Sequence, residues 1–427
     1  MRRIGGVALL VCALALAAGG ATGIQAQQRV TVTYWQYFFQ SKVKLIDALI
    51  AQFETQNPGI HVVQETFPYD SYNQKVASAV PAGQGPDVVN LFYGWLPLYV
   101  DSGYLQPLPE DAFPTTQIER DFVPMVKAAR FGGKYWALPT AVRTLALFYN
   151  RDLFRKAGLD RAPITWDELL ADAKRLTERD GRGTVTLEGF GIAPNGQDHQ
   201  LIREVLFRQW GAAPYSSDGH RATYNTPQGA EALRWYTDLV AKHNVAVIDF
   251  FPGGNGYRDA FVAGRAAMIV DGSFAIGAIR GSAKFDWGVA TLPRLTAGGT
   301  PANFGSLWVH GLTARAKGPQ REAAVKFLQF ITSPDTQRLW LQQVGEIPAG
   351  KALAGDPKLE ADPVYGPFIQ SLPYAHATFF VDETAQRTVL VDAVNEVILN
   401  HKDPKAALDD AAAREGKILG EFWAKHR

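Results

Sequence analysis

Short β-branched and aromatic runs alternate with helical patterns from residue 30 onward, and this limits the folds open to the chain. Val30 to Trp35 reads as a strand. Lys42 to Gln56 follows with Val43, Ile46, Leu49, Ile50 and Phe53 on one helical face, and Asn57-Pro58-Gly59 stops it. Ile60 to Phe67 predicts a second strand, Ser71 to Val80 a short helix, and Asp87 to Phe92 a third strand. Such an order favours largely parallel sheets covered by helices. Later segments keep to it. Thr165 and Glu168 form a capping box, Pro227 suits the first turn of a helix through Val240, and Ala266 to Val270 and Gly288 to Leu292 are strand candidates. Pro319 to Ile331, a helix begun by Ser333-Pro334, and Val389 to Leu399 complete the pattern.

The first 26 residues are not part of that pattern. Arg2 and Arg3 precede a small-apolar run from Val7 to Ala18, and Ile24-Gln25-Ala26 suits a cleavage site, so 1–26 is expected to be a cleaved secretory signal. Its removal takes away Cys12, the only cysteine, and leaves 41 basic and 42 acidic residues. An exported chain without cysteine must stabilise itself through its core, which two domains can supply at this length. The near-neutral balance gives no support to nucleic-acid binding. No Pro/Ser linker divides the chain, so strands crossing between the domains must join them.

Motifs for catalysis are mostly missing. The eight histidines are scattered, and there is no HExxH, metal-ligand Cys/His spacing, P-loop or nucleophile elbow. No metal or cofactor is expected. A carboxylate pair for glycoside cleavage stays open. Aromatic residues beside turns are more informative: Trp35-Gln36-Tyr37 and Tyr93-Gly94-Trp95 each follow a strand, and Asp271-Gly272-Ser273-Phe274 follows Met268-Ile269-Val270. Ligands bind beyond the carboxyl ends of strands in open α/β sheets. Aromatic faces with nearby polar groups suit a sugar's C–H faces and hydroxyls, although core packing is the better account of any single aromatic. Arg143 heads the apolar run Leu145 to Tyr149, so it needs either a ligand or a buried partner.

Several fragments in order resemble the bacterial extracellular solute-binding proteins (family 1) of ATP-binding-cassette carbohydrate importers, in the maltose- and glycerol-phosphate-binding branch. They are Tyr34-Trp35, Phe53-Glu54 before Asn57-Pro58-Gly59, Gly85-Pro86-Asp87-Val88, and Gly133-Lys134 to Pro139. Leu147-Phe148-Tyr149-Asn150, Asp152-Leu153-Phe154, Ala157-Gly158-Leu159, Thr165-Trp166-Asp167-Glu168-Leu169, Phe261 to Met268 and Ser306-Leu307-Trp308-Val309 follow.

The resemblance implies an α/β, two-lobe periplasmic-binding-protein fold (type II), with lobes joined by crossing hinge segments near Ala141, Pro293 and Ser333. The expected N-terminal lobe is 27–141 with 293–333, and the C-terminal lobe is 142–292 with 334–427. It further implies a periplasmic monomer, not an enzyme, that closes on a carbohydrate and delivers it to membrane permease subunits. Carried over by position, the expected ligand-binding residues are Trp35, Gln36, Tyr72, Tyr93, Trp95, Arg143, Asn195, Asp198, Asp271, Phe274, Gly305 and Arg387. Phe274 falls where the maltose binder stacks a Trp on sugar. Arg143 replaces one of that protein's acidic residues, and Arg387 lies near a second stacking aromatic, which argues against maltose itself. An anionic small solute, such as a phosphorylated polyol or acidic sugar, is the alternative ligand class.

Overall fold

A computed structural model describes residues 29–253 and 255–425, so the expected signal segment and Cys12 lie outside the described residues. The first lobe is built on a twisted sheet. Val30–Tyr37 lies between Ile60–Phe67 and Val88–Phe92, parallel to both. Asn303–Thr313 pairs antiparallel with Val88–Phe92, and Ala137–Asn150 antiparallel with Asn303–Thr313. The helix Gln40–Gln56 covers this sheet with Leu45, Ile46, Leu49 and Phe53, all essentially inaccessible. Burying each such side chain contributes ~1.5–3 kcal/mol.

Ala137–Asn150 joins the lobes. Its first half, Ala137 to Thr144, belongs to the first-lobe sheet. Its second half lies between two antiparallel partners of the second lobe, Met268–Gly272 and Trp287–Ala290. The sheet changes partners at Leu145, where the Asn303 side-chain amide substitutes for a neighbouring strand. It accepts from Leu145 N at 3.0 Å and donates to Leu145 O at 2.8 Å. Pro139 is tolerated because the register slips beside it. Ala141 pairs with Trp308 and Pro139 with Val309, leaving Thr140 bulged. Its hydroxyl hydrogen-bonds the buried His310 Nε2 at 3.0 Å and donates to Ile331 O at 2.9 Å, so the extra residue is satisfied.

The remaining expectations meet the structure at several points. Thr165 caps Trp166–Leu176 by accepting from Glu168 N at 3.1 Å. The helix Pro334–Gln343, expected beyond the last crossing, packs instead on Gln40–Gln56 and Gly318–Ile331 of the first lobe. Ile347–Pro348 then pairs with Val142 and Ala141, so the chain stays with the first lobe past Ser333. The C-terminal helices Glu383–Asn400 and Pro404–Ala424 pack on each other and on Pro227–Ala241 in the second lobe. Among the described residues, no helix is long and apolar enough to cross a membrane.

Candidate functional site

The two lobes present matching devices to the cleft between them. Val88–Phe92 runs into a tight turn, Tyr93–Trp95, and then the helix Leu96–Asp101. Met268–Gly272 runs into Ser273–Ala275 and then Ile276–Ser282. Both turns lie at the carboxyl ends of strands, where open α/β sheets place ligands.

A charged cluster lies beside the crossing strand, around Arg143 and Glu346. Arg143 donates from Nε to Glu346 Oε1 at 2.8 Å, and its Nη2 bonds the same oxygen. Nη2 also donates to the Tyr37 hydroxyl at 3.2 Å. Glu346 Oε2 accepts from Trp340 Nε1 at 2.8 Å and faces Lys42 Nζ at 3.1 Å, while Lys42 donates to Tyr37 at 2.7 Å. Burial alone would raise the Glu346 carboxyl, but Arg143 and then Lys42 outweigh it and hold the group at about 2. Arg143 therefore meets the protein first.

Its other side faces Phe274. The guanidinium lies 4.9 Å from that ring's centre, and Arg258 lies 5.3 Å from it. Arg258 is fixed by Asp271, donating from Nε at 2.6 Å and Nη2 at 3.1 Å. Asp271 is fully buried and also accepts from Gly272 N at 2.7 Å. It braces its own turn and is not presented to the cleft. Phe274 is thus committed to two cations, which limits it as a platform for sugar.

Other expected residues support the site from behind. Trp35, Gln36 and Tyr72 are buried. The Tyr72 hydroxyl donates to Trp35 O at 2.9 Å and Asn90 O at 2.7 Å, tying two strand ends together. Asp198 is buried and accepts from Ala193 N and the Tyr236 hydroxyl, both at 2.6 Å, with burial pushing its carboxyl up to about 6. It shapes the loop on which Asn195 is exposed. Gly305 permits close approach, since a Cβ there would sit 2.8 Å from Met125 Cε. Tyr93 is buried beside Phe380.

Trp95, Arg143, Phe274 and Arg387 are partly exposed. Trp95 is half-buried. Beside it is Glu383, whose carboxyl is raised by burial against the opposing pull of Arg387 and then of Trp95. Arg387, one helical turn on, holds Nε 3.5 Å from Glu383.

Sequence reasoning missed Tyr69. The residue is 59% exposed, yet its ring stands 5.4 Å from that of Tyr37 and 6.2 Å from that of Trp308. The hydroxyl is raised by desolvation and then by Tyr37, and it also senses Arg143, Glu383 and Arg387. The aromatic-Pro-aromatic string Phe67-Pro68-Tyr69 at the end of a strand was the available signal.

A depression of about 340 Å³ lined by Thr31, Thr33, Asp87, Arg315, Lys317 and Gln320 lies at the opposite ends of these strands. The Asp87 carboxylate there already accepts from Thr33 N at 2.8 Å and its hydroxyl at 2.9 Å. That depression is separate from the cleft. No group of three or more potential metal ligands occurs among the described residues.

Residues 40–338 match the family model for bacterial extracellular solute-binding proteins. The chain belongs to that family. A maltotriose-binding protein of Pyrococcus abyssi is 25% identical over 350 residues, covering 81% of this chain and 72% of its own. The sn-glycerol-3-phosphate-binding periplasmic protein of Shigella dysenteriae is 27% identical over 451 alignment positions, covering 96% and 97%. Among solved structures, an ABC-transporter solute-binding protein from Thermotoga lettingae bound to α-D-tagatose superposes with a TM-score of 0.79 at 26% identity, covering 92% of this chain and all of that one. These solute-binding proteins share the α/β two-lobe architecture built here around the strand Ala137–Asn150.

Proposed function

We propose that this protein is the periplasmic substrate-binding component of a carbohydrate importer. It captures a sugar or oligosaccharide between its lobes and hands it to ATP-binding-cassette permease subunits, acting as a monomer and without covalent chemistry. The observation that carries this reading is Tyr69, an exposed aromatic residue packed against Trp308 and against Tyr37, which in turn accepts from Arg143. A ring face takes the apolar side of a pyranose, and the charged cluster can exchange hydrogen bonds with hydroxyls. The sugar-binding relatives support the same reading.

A melting-temperature screen against neutral sugars, acidic sugars and polyols tests it, with chromatography of each mixture afterwards. A sugar that binds only the folded state raises the melting temperature by mass action and is recovered intact. Sugar cleavage, or stabilisation by some other solute and by no carbohydrate, would contradict the proposal. With a ligand in hand, Tyr69→Ala should weaken binding by ~1–3 kcal/mol, the scale of one apolar side chain's contact. The empty protein's melting temperature should barely move, because the ring is already exposed. A large loss of stability at unchanged affinity would return Tyr69 to a structural role.

A further inference from the structure

Several arginines pair one to one with a carboxylate, whereas the hinge does not. Arg258 has Asp271, Arg387 has Glu383, and Arg203 in the second-lobe interior has Glu415. At the hinge, two cations share one carboxylate: Lys42 is 2% exposed, Glu346 4% and Arg143 13%. The four donors from Arg143, Lys42 and Trp340 already occupy both oxygens of Glu346. Among the described residues no second carboxylate bonds to either cation. The surplus positive charge reaches solvent only through Arg143, whose Nη1 makes no hydrogen bond to the protein among those residues.

An open cleft lets water solvate that surplus. Closure over a ligand expels the water, and a sealed, unmatched cation is costly unless the ligand supplies the opposite charge. We infer that the carbohydrate bears one acidic group, a carboxylate or a phosphate ester, seated on the free Nη1 edge of Arg143. This rests on the carbohydrate reading above and narrows its substrate class. Arg387 supports the same preference, since its side chain is 40% exposed and approaches Glu383 only at 3.5 Å.

Isothermal titration of matched probes tests the inference: glucose and galactose oligomers, glucuronate and galacturonate oligomers, and glucose and galactose 6-phosphates. An acidic probe should bind at least about tenfold more tightly than its neutral counterpart, the lower end expected of a charge-assisted hydrogen bond. That advantage should shrink as salt rises. The uronate and phosphate arms identify which acid is taken. Lys42→Met removes the surplus charge from a side chain buried behind Arg143 and leaves a balanced Arg143–Glu346 pair. It should lower the ratio of acidic to neutral affinity by about tenfold. Arg143→Gln, which leaves a balanced Lys42–Glu346 pair, should lower the same ratio and serves if Lys42→Met does not fold. Equal or tighter binding of the neutral probes would overturn the inference and leave the carbohydrate reading standing. No binding by any probe in the panel would overturn both.

Discussion

Glu346→Ala is expected to lower the unfolding free energy by about 3–5 kcal/mol, the scale for stranding a buried charge. The substitution leaves both Lys42 and Arg143 without their shared carboxylate, in a site where Lys42 is 2% exposed. Arg143→Ala should cost less, because Lys42 and Trp340 still satisfy Glu346. The same carboxylate gives a pH signature. Its folded pKa of about 2 is depressed from the ordinary carboxylate value of 4.5. Its stabilising contribution is therefore complete above pH 4.5 and lost as pH falls toward about 2. Urea unfolding at pH 7 and pH 3 should show the wild type losing stability that Glu346→Ala does not have to lose. Equal stabilities of the two proteins at pH 7 would mean that the hinge cluster is not holding the structure.

Glu415→Ala should have an effect of similar size, about 3–5 kcal/mol, and it should also reach the ligand. Glu415 is fully buried and accepts from Arg203 Nη1 at 2.6 Å, the Tyr224 hydroxyl at 2.8 Å and Gln386 Nε2 at 3.0 Å. Arg203 in turn donates to Gln386 O at 2.9 Å. The Gln386 side chain accepts from Val381 N at 2.8 Å and Asp382 N at 3.1 Å, which fixes the turn leading into Glu383 and Arg387. Breaking the network frees Arg203 of its counter-ion and loosens the cleft rim together. Thermal unfolding and ligand titration of the variant should both worsen. An unchanged melting temperature would refute the stranded-charge argument, and unchanged affinity would separate the rim from the network.

Much of this architecture is legible in local sequence because strands and helices here follow their own periodicities. The helix at 40–56, the strand at 60–67 and the capped helix after Thr165 are local decisions. The crossing strand was only half visible. Leu145 to Tyr149 is an apolar run, but Pro139, Arg143 and Thr144 interrupt the first half, and each is satisfied by a distant partner. Thr144 donates to Phe368 O at 3.0 Å, for example. Arg143 posed the right question, yet its answer, Glu346, is 203 positions away in sequence and carries no local mark. Phe274 and Asp271 were placed at the right turn, but Arg258 takes up both of them. Tyr69 lacked any periodicity that would separate it from ordinary loop aromatics.

The central claim is that a carbohydrate is captured by closure of two lobes about the strand Ala137–Asn150. Small-angle scattering of the purified protein, with and without a carbohydrate found by the melting screen, tests it most directly. Ligand contacts made only in the closed state must shift the population toward that state. The account predicts a smaller radius of gyration on saturation, and Tyr69→Ala should need more ligand to reach the same compaction. Saturation by a tightly bound sugar with no decrease in the radius of gyration would contradict it.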